Sequence, residues 1–168
     1  ISEELTWAGF DQSDIDAMKA FRHALPERIN SIIAGRKRDI PRLTKVGTDM
    51  AVPQQHLGMM LSLYIETLNR MKLEYCIFGH IGNAHLHVNI LPRSLEEQET
   101  GYRLYHEFAY KAVELGGSVS AEHGIGRLKL QFMSIQYSSE DITRMSNVKH
   151  AFDPDLRLNP GVLLDFQS

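Results

Sequence analysis

The chain of 168 residues contains a single cysteine, Cys76, and no apolar run as long as a membrane span. A lone cysteine excludes an internal disulfide framework and is typical of proteins from a reducing compartment. The sequence lacks about 18 to 20 consecutive apolar residues and a charged-then-apolar start, so it predicts neither a transmembrane segment nor a signal peptide. We therefore expect a cytoplasmic protein.

A strong charge imbalance is also missing. The net charge of -3 and the isoelectric point near 6.2 predict no broad surface for nucleic acid or an anionic membrane. The helical zinc-protease motif, the phosphate-binding glycine-rich loop and the dinucleotide fingerprint are absent as well. With 43% hydrophobic and 23% charged residues the chain is expected to fold. Because it begins at Ile1, we expect it to be part of a longer polypeptide.

Hydrophobic periodicity predicts alternating helices and strands. A helix capped by Ser13 bends or restarts at Pro26, and two further helices follow Pro53 and the capping pair Ser94 and Glu97. The predicted strands are residues 44–52, 75–80, 85–91 and 118–121, and short helices follow Gly126 and Ser138. The pattern indicates one α+β domain over residues 1–168: a small antiparallel, ferredoxin-like sheet with helices on one face, then a C-terminal helical segment.

Three histidines lie in the predicted hairpin, where strand and loop positions bring them together. Alternation puts His85, His87 and Asn89 on the face opposite Leu86, Val88 and Ile90. If residues 81–84 form the loop, His80 pairs with His85 and lies diagonally from His87. A polar outer sheet face alone would carry no function, but three imidazoles on it indicate a metal site. A fourth, unligated histidine beside them, His123, could move a proton.

The run Glu122-His123-Gly124-Ile125-Gly126 follows the last predicted strand. Neighbouring residues point in different directions, so one of the pair could face a metal ion and the other a substrate. The glycines would allow a ligand to approach closely. Alternatively, this run is only a helix-entry turn with an acidic residue favoured by the helix dipole.

Several runs together resemble one family. They are Gly79-His80-Ile81-Gly82 with His87 and Asn89, Ser120-Ala121-Glu122-His123-Gly124-Ile125-Gly126, and Asp153-Pro154 with Leu158-Asn159-Pro160-Gly161. Residues 21–27 and 45–53 extend the likeness over nearly the whole chain. The set is similar to the C-terminal domain of FAD-linked oxidases, the branch with glycolate oxidase large subunits, D-lactate dehydrogenases and D-2-hydroxyglutarate dehydrogenases.

The resemblance implies a role for each matching residue. A divalent ion, usually zinc, would be held by His80, His87 and Glu122, and His123 would be the catalytic base. Arg22, Lys45 and Asn89 would bind the substrate carboxylate, while Asn159 would either lie near the flavin or cap the terminal turn. The chain departs from the commoner run Gly-Asp-Gly-Asn-Leu-His at residues 82–87, so His85 could be a ligand, a spectator or, as we expect, a substrate contact. Lys45 is also farther from Asp49 than in the hydroxyglutarate enzymes.

The implied function is oxidation of a small D-2-hydroxy acid to the 2-oxo acid, with hydride transfer to FAD. Nothing in the chain resembles the family's N-terminal FAD-binding lobe, so we expect that lobe as a partner, together with an unidentified electron acceptor. The acceptor could hold the protein peripherally at the inner membrane, and the isolated chain is expected to be inactive. The alternatives are a non-catalytic metal or carboxylate binding module and a metallohydrolase.

Overall fold

The computed structural model describes residues 8–164. These form two compact units, with the boundary between Thr44 and Lys45. In the first unit, helix α1 spans Gln12–Lys37. The Asp11 side chain caps it by accepting a 2.8 Å hydrogen bond from the Asp14 N–H, so the prediction that Ser13 is the cap was wrong. The helix also continues through Pro26 without restarting.

A three-stranded antiparallel sheet organises the second unit. Its strands are β1 (Val46–Gly47), β2 (Tyr75–His80) and β3 (His85–Ile90), in the spatial order β1-β3-β2. The hairpin has the predicted register, with His80 opposite His85. A 3-10 turn over Ile81–Asn83 and a left-handed Ala84 connect its strands.

Helices α2 (Leu57–Arg70) and α3 (Leu95–Glu114) contribute to one hydrophobic core together with the sheet. Val88 and Ile90 of β3 are buried in that core, and Tyr64 of α2 meets Phe108 of α3 edge-to-face at 4.8 Å. Ser94 caps α3 by accepting from the Glu97 N–H, as the sequence predicted. The predicted α+β class and antiparallel sheet are confirmed.

Strand β1 is much shorter than the predicted strand 44–52, because Thr48 interrupts the ladder of backbone hydrogen bonds. Its side-chain hydroxyl accepts the Val88 N–H at 3.0 Å, while its backbone carbonyl contacts a ring nitrogen of His87 at 3.0 Å. Pairing resumes only at Ala51, which forms isolated bridges to His85 and Ser118. The predicted strand 118–121 is reduced to that single bridge.

The C-terminal helical segment contains a 3-10 turn (Leu130–Phe132), α4 (Met133–Gln136) and α5 (Ser139–Phe152). Ser138 caps α5 as predicted, accepting the Asp141 N–H at 3.1 Å. None of the helices in residues 8–164 is long and apolar enough to cross a membrane.

Candidate metal and proton-transfer site

The carboxylate of Asp49 is the centre of a polar cluster on the histidine face of β3. Its side chain is 1% exposed. It accepts hydrogen bonds from Lys129 Nζ (2.6 Å), Ser120 Oγ (2.7 Å), the His123 N–H (3.0 Å), the Glu122 N–H (3.3 Å) and His85 Nε2 (3.0 Å). Burial alone would raise the pKa of Asp49, but these donors, Lys129 first, outweigh it and hold the pKa well below its usual range. Asp49 is therefore an anion that orients the Glu122-His123 run.

The hydrogen bonds of His85 and His87 define which ring nitrogens carry protons. His87 Nδ1 lies 3.0 Å from the Thr48 carbonyl, which can only accept, so this nitrogen is the donor. His85 Nε2 donates to the ionised Asp49 in the same way. Burial and the neighbouring His87 lower the pKa of His85, which favours its neutral form. The lone pairs of the neutral rings are thus on His85 Nδ1 and His87 Nε2.

Both of these nitrogens lie near the Glu122 carboxylate. His85 Nδ1 lies 3.6 Å from one Glu122 oxygen, and His87 Nε2 lies 3.6 Å from the other. His80 Nε2, on the neighbouring strand, lies 3.1 Å from Glu122. Three imidazoles from the hairpin therefore lie close to a single carboxylate.

His123 is the exposed member of the cluster. Its side chain is 62% exposed, and its ring stacks on His87 with centroids 5.3 Å apart and an interplanar angle of 11°. Its backbone N–H is tied to Asp49, while its side-chain nitrogens lie 4.0 Å from the Asp49 and Glu122 carboxylates. This imidazole can exchange protons with a bound molecule, because its backbone is anchored and its ring reaches solvent.

The donor set fits a divalent cation. Imidazole nitrogens and a carboxylate are common ligands of zinc. Ligands bound about 2.0–2.1 Å from a tetrahedral zinc ion lie about 3.3 Å apart, close to the 3.1–3.6 Å separations between the imidazoles and Glu122. In residues 8–164, two trios have potential ligand atoms within 4.8 Å of one another: Asp49, His85 and His87, and His87, Glu122 and His123. The expected set of His80, His87 and Glu122 is neither of these trios, although His80 Nε2 lies 3.1 Å from Glu122.

Asn89 lies on the same face of β3, two residues beyond His87. It is 4% exposed, and its Nδ2 has no hydrogen-bond partner among the residues that the structure describes. Lys45 comes one residue before β1, where Gly47 pairs with Asn89. A buried amide donor without a partner fits a ligand with an acceptor oxygen, such as a carboxylate.

The remaining predicted site residues lie elsewhere in the chain. Arg22 belongs to α1 in the first unit. Asn159 lies in the C-terminal turn with a left-handed backbone (φ 47°), and its carbonyl accepts the Val162 N–H at 3.2 Å. Their contacts with substrate and flavin stay predictions.

Sequence reasoning missed Asp49, Ser120 and Lys129. The available signal was an acidic residue inside an apolar stretch predicted to be a strand, because a buried carboxylate needs a counter-charge and donors. The partner of Asp49, Lys129, lies 80 positions away in a segment without clear periodicity. Spacing alone could not connect them.

Comparison with known proteins identifies the family of the chain. Residues 11–163 match the family described as FAD linked oxidases, C-terminal domain, and the chain belongs to this family. It is 32% identical over 140 residues to glycolate oxidase subunit GlcD of Bacillus subtilis (strain 168), covering 82% of this chain and 29% of that protein.

Two further relatives have related names. Glycolate oxidase subunit GlcD of Escherichia coli (strain K12) is 35% identical over 135 residues, covering 76% of this chain and 27% of that protein. D-2-hydroxyglutarate dehydrogenase of Xanthomonas citri pv. viticola is 38% identical over 92 residues, covering 52% of this chain and 20% of that protein. The chain thus aligns with less than a third of the length of each of these relatives.

Proposed function

We propose that this chain is the substrate- and metal-binding domain of a flavin-dependent D-2-hydroxy-acid dehydrogenase of the glycolate or D-lactate type. The observation that carries the proposal is the convergence of His80, His85 and His87 on Glu122, beside the exposed imidazole of His123. Membership of the FAD-linked oxidase family supports the same class of chemistry. The compartment and the electron acceptor stay predictions.

His80, His87 and Glu122 would hold a divalent ion, for which zinc is our expectation. Such an ion supplies Lewis-acid polarisation of the substrate hydroxyl, and FAD, bound mostly by an N-terminal lobe, supplies the hydride acceptor. The residues of this chain bind the substrate and move its proton. The Asn89 Nδ2 group would donate to the substrate carboxylate, with Lys45 as a cationic partner. The carboxylate contact expected for Arg22 stays a prediction.

His123 would remove the hydroxyl proton. Its ring is held against His87 and its backbone is fixed by Asp49, so the imidazole is positioned without being buried. Histidine is the side chain that most often acts as a general base. Loss of this proton and of the Cα hydride converts the 2-hydroxy acid to the 2-oxo acid.

Metal analysis tests the site directly. The purified protein should contain about one zinc equivalent after dialysis, and His80→Ala and His87→Ala should both reduce that content. His106→Ala is the control, because this half-buried histidine packs on Phe132 with ring centroids 4.7 Å apart. Unchanged metal content in both site variants would remove these residues as ligands.

An activity assay tests the reaction class. The protein assayed together with its FAD-binding lobe should reduce an artificial electron acceptor when given glycolate or D-lactate, and the 2-oxo acid should accumulate. The isolated chain should show neither stoichiometric flavin absorbance nor turnover. If the chain binds metal and carboxylate but the combined protein oxidises no hydroxy acid, it is a binding module instead.

A further inference from the structure

Strand β2 is the outer strand of the sheet, and its free edge is unshielded. Among residues 8–164, only β3 lies beside it, in the spatial order β1-β3-β2. Native sheets commonly shield an outer strand with lysine, proline or other charged residues. The six residues of β2 read Tyr-Cys-Ile-Phe-Gly-His, without lysine, proline or an acidic side chain. This edge can therefore pair with a further strand.

The hydrogen bonds of the hairpin identify the backbone groups that face inward. The Leu91 N–H donates to the Glu74 carbonyl at 2.8 Å, just beyond the end of the hairpin ladder. Hydrogen-bonded pairs alternate along an antiparallel ladder. From this pair onward, the register gives the same bonding toward β3 to three residues of β2, namely Cys76, Phe78 and His80.

The residues between them have their N–H and C=O groups on the free edge. Val88 confirms the alternation. It lies directly opposite Ile77, but its carbonyl accepts the Thr48 N–H at 2.9 Å and its own N–H donates to the Thr48 hydroxyl. The backbone of Ile77 therefore does not bond to Val88. The outward-facing residues of β2 are Tyr75, Ile77 and Gly79.

An apolar groove of about 490 Å³ lies beside this edge. Its lining includes three residues of α2 and three of the hairpin: Leu57, Leu61, Ile65, Tyr75, Ile77 and Ile81. The exposed fractions of Ile65 and Ile81 are 37% and 69%. Covering such apolar surface is favourable, so the free hydrogen-bonding edge and the groove form one docking surface.

We infer that this docking surface, the outer edge of β2 with the adjoining groove, takes a β-strand from the part of the full-length polypeptide that lies outside this chain. That strand pairs with the backbone of Tyr75, Ile77 and Gly79. Its alternate side chains are apolar on the side of α2, where they fill the groove. The inference goes beyond the proposed function and shares with it the expectation that the chain is part of a longer protein.

The length of the relatives favours this occupant. The aligned part covers 29% of GlcD of Bacillus subtilis and 27% of GlcD of Escherichia coli, so more than two thirds of each relative lies outside it. A strand from the same polypeptide is present at a high effective concentration. A second copy of the chain would have to lose translational and rotational freedom to pair at the same edge.

The position of β2 gives this docking a consequence for the polar cluster. His80 is the last residue of β2, and its Nε2 lies 3.1 Å from Glu122. Among the three imidazoles of the hairpin, it is the one on the outer strand. A strand added to β2 therefore holds the rest of the polypeptide next to the polar cluster.

Hydrogen exchange of the full-length protein, read at single residues by fragmentation mass spectrometry, tests the inference. The amides of Tyr75, Ile77 and Gly79 should exchange as slowly, within about tenfold, as those of Cys76 and Phe78, which already bond to β3. Exchange of the three outward amides at the rate of an unpaired peptide would overturn the inference. Tenfold dilution should leave their protection unchanged, and loss of protection on dilution would show pairing between two copies instead.

A photo-cross-link identifies the occupant. A benzophenone side chain at position 81, where Ile81 is 69% exposed, should link to a peptide of the same polypeptide outside the 168 residues. A link within these residues, or between two copies, would overturn the inference.

Ile65→Lys tests the groove, because it places a charge among the apolar side chains that line it. In the full-length protein it should speed exchange of the three outward amides at least tenfold, while Met59→Lys should not. Met59 is the matched control, because it belongs to the same helix, is 55% exposed and lies outside the groove. Wild-type exchange in a folded Ile65→Lys protein would overturn the assignment of the groove.

If Ile65→Lys does not fold, the exchange of the wild type and the cross-link decide. None of these measurements needs bound metal or turnover. The inference can therefore fail while the proposed function holds, and the proposed function can fail while the inference holds.

Discussion

Lys129 donates a 2.6 Å hydrogen bond to Asp49, joining two residues that are 80 positions apart in the sequence. Their side chains are 14% and 1% exposed, so the ion pair is largely removed from water. The pair connects the segment after β1 to the start of the C-terminal helical segment. It also holds the carboxylate that orients the Glu122-His123 run.

Breaking this pair should destabilise the second unit. Lys129→Met should lower the free energy of unfolding by about 2–4 kcal/mol, because it leaves a buried carboxylate without its cation. Asp49→Asn should cost a similar amount. The double variant Asp49→Asn with Lys129→Met should lose less than the sum of the two, since neither charge is then orphaned.

Urea unfolding measures these differences. Lys149→Met is the matched control, because Lys149 pairs with Asp153 in the same way but its side chain is 26% exposed. Its loss should be clearly smaller. Strictly additive single effects in the double variant would show that Lys129 and Asp49 do not stabilise each other.

Gly79 allows β2 and β3 to approach closely beside the histidines. A Cβ at Gly79 would lie 2.3 Å from the His85 carbonyl oxygen and 2.9 Å from the Leu86 Cα, and these backbone atoms cannot move without parting the strands. We expect Gly79→Ala to cost about 3 kcal/mol and to weaken metal binding, because it displaces His80 from Glu122.

The adjacent loop offers the control. A Cβ at Gly82 would meet nothing within 4 Å, so Gly82→Ala should leave both stability and metal affinity near the wild-type values. Thermal unfolding and zinc competition measure both variants. Equal effects of the two substitutions would contradict the role given to the close approach at Gly79.

The hairpin was predictable because its determinants are local. Strand alternation and a four-residue loop are enough to pair His80 with His85, and the structure has that register. The polar cluster was only half predictable. The imidazoles and Glu122 are visible as motifs, whereas Asp49 acts through backbone and side-chain donors from distant segments.

The length of strand β1 could also not be predicted from local sequence pattern alone. The apolar residues of this segment alternate as expected for a strand. However, the Thr48 hydroxyl replaces a backbone carbonyl as the acceptor of the Val88 N–H, and the Thr48 carbonyl contacts His87 instead. Side chains that substitute for ladder hydrogen bonds compete with regular structure. Hydrophobic period alone therefore predicts a strand longer than the one formed.

Asp153 should make the C-terminal turn sensitive to acid. Lys149 and the N–H groups of Leu158 and Arg157 donate to its carboxylate and hold the pKa of Asp153 below its ordinary value. A lowered folded-state pKa contributes stability that is present above the unfolded value of about 3.9 and is lost as the pH falls through the folded value. Asp153→Asn should therefore be less stable than the wild type at pH 7, and the difference should shrink toward pH 3.

Chemical unfolding at both pH values measures that difference. Asp155→Asn is the control, because Asp155 is exposed and pairs with Arg157 only at 3.4 Å. It should change stability little at either pH. A constant gap between Asp153→Asn and the wild type across the acid range would contradict the assigned shift.

His123 should be required for turnover but not for metal binding. Its ring is exposed and stacked on His87, and Asp49 anchors its backbone rather than its side chain. Removing the imidazole therefore leaves the metal-facing groups in place.

In the protein combined with its FAD-binding lobe, His123→Gln should lower kcat by about 10²- to 10⁴-fold, with zinc content and KM for the hydroxy acid close to wild type. His56→Gln, at the start of α2, is a control histidine and should keep the wild-type kcat. A His123→Gln protein that loses zinc together with activity would place His123 among the ligands instead of the bases.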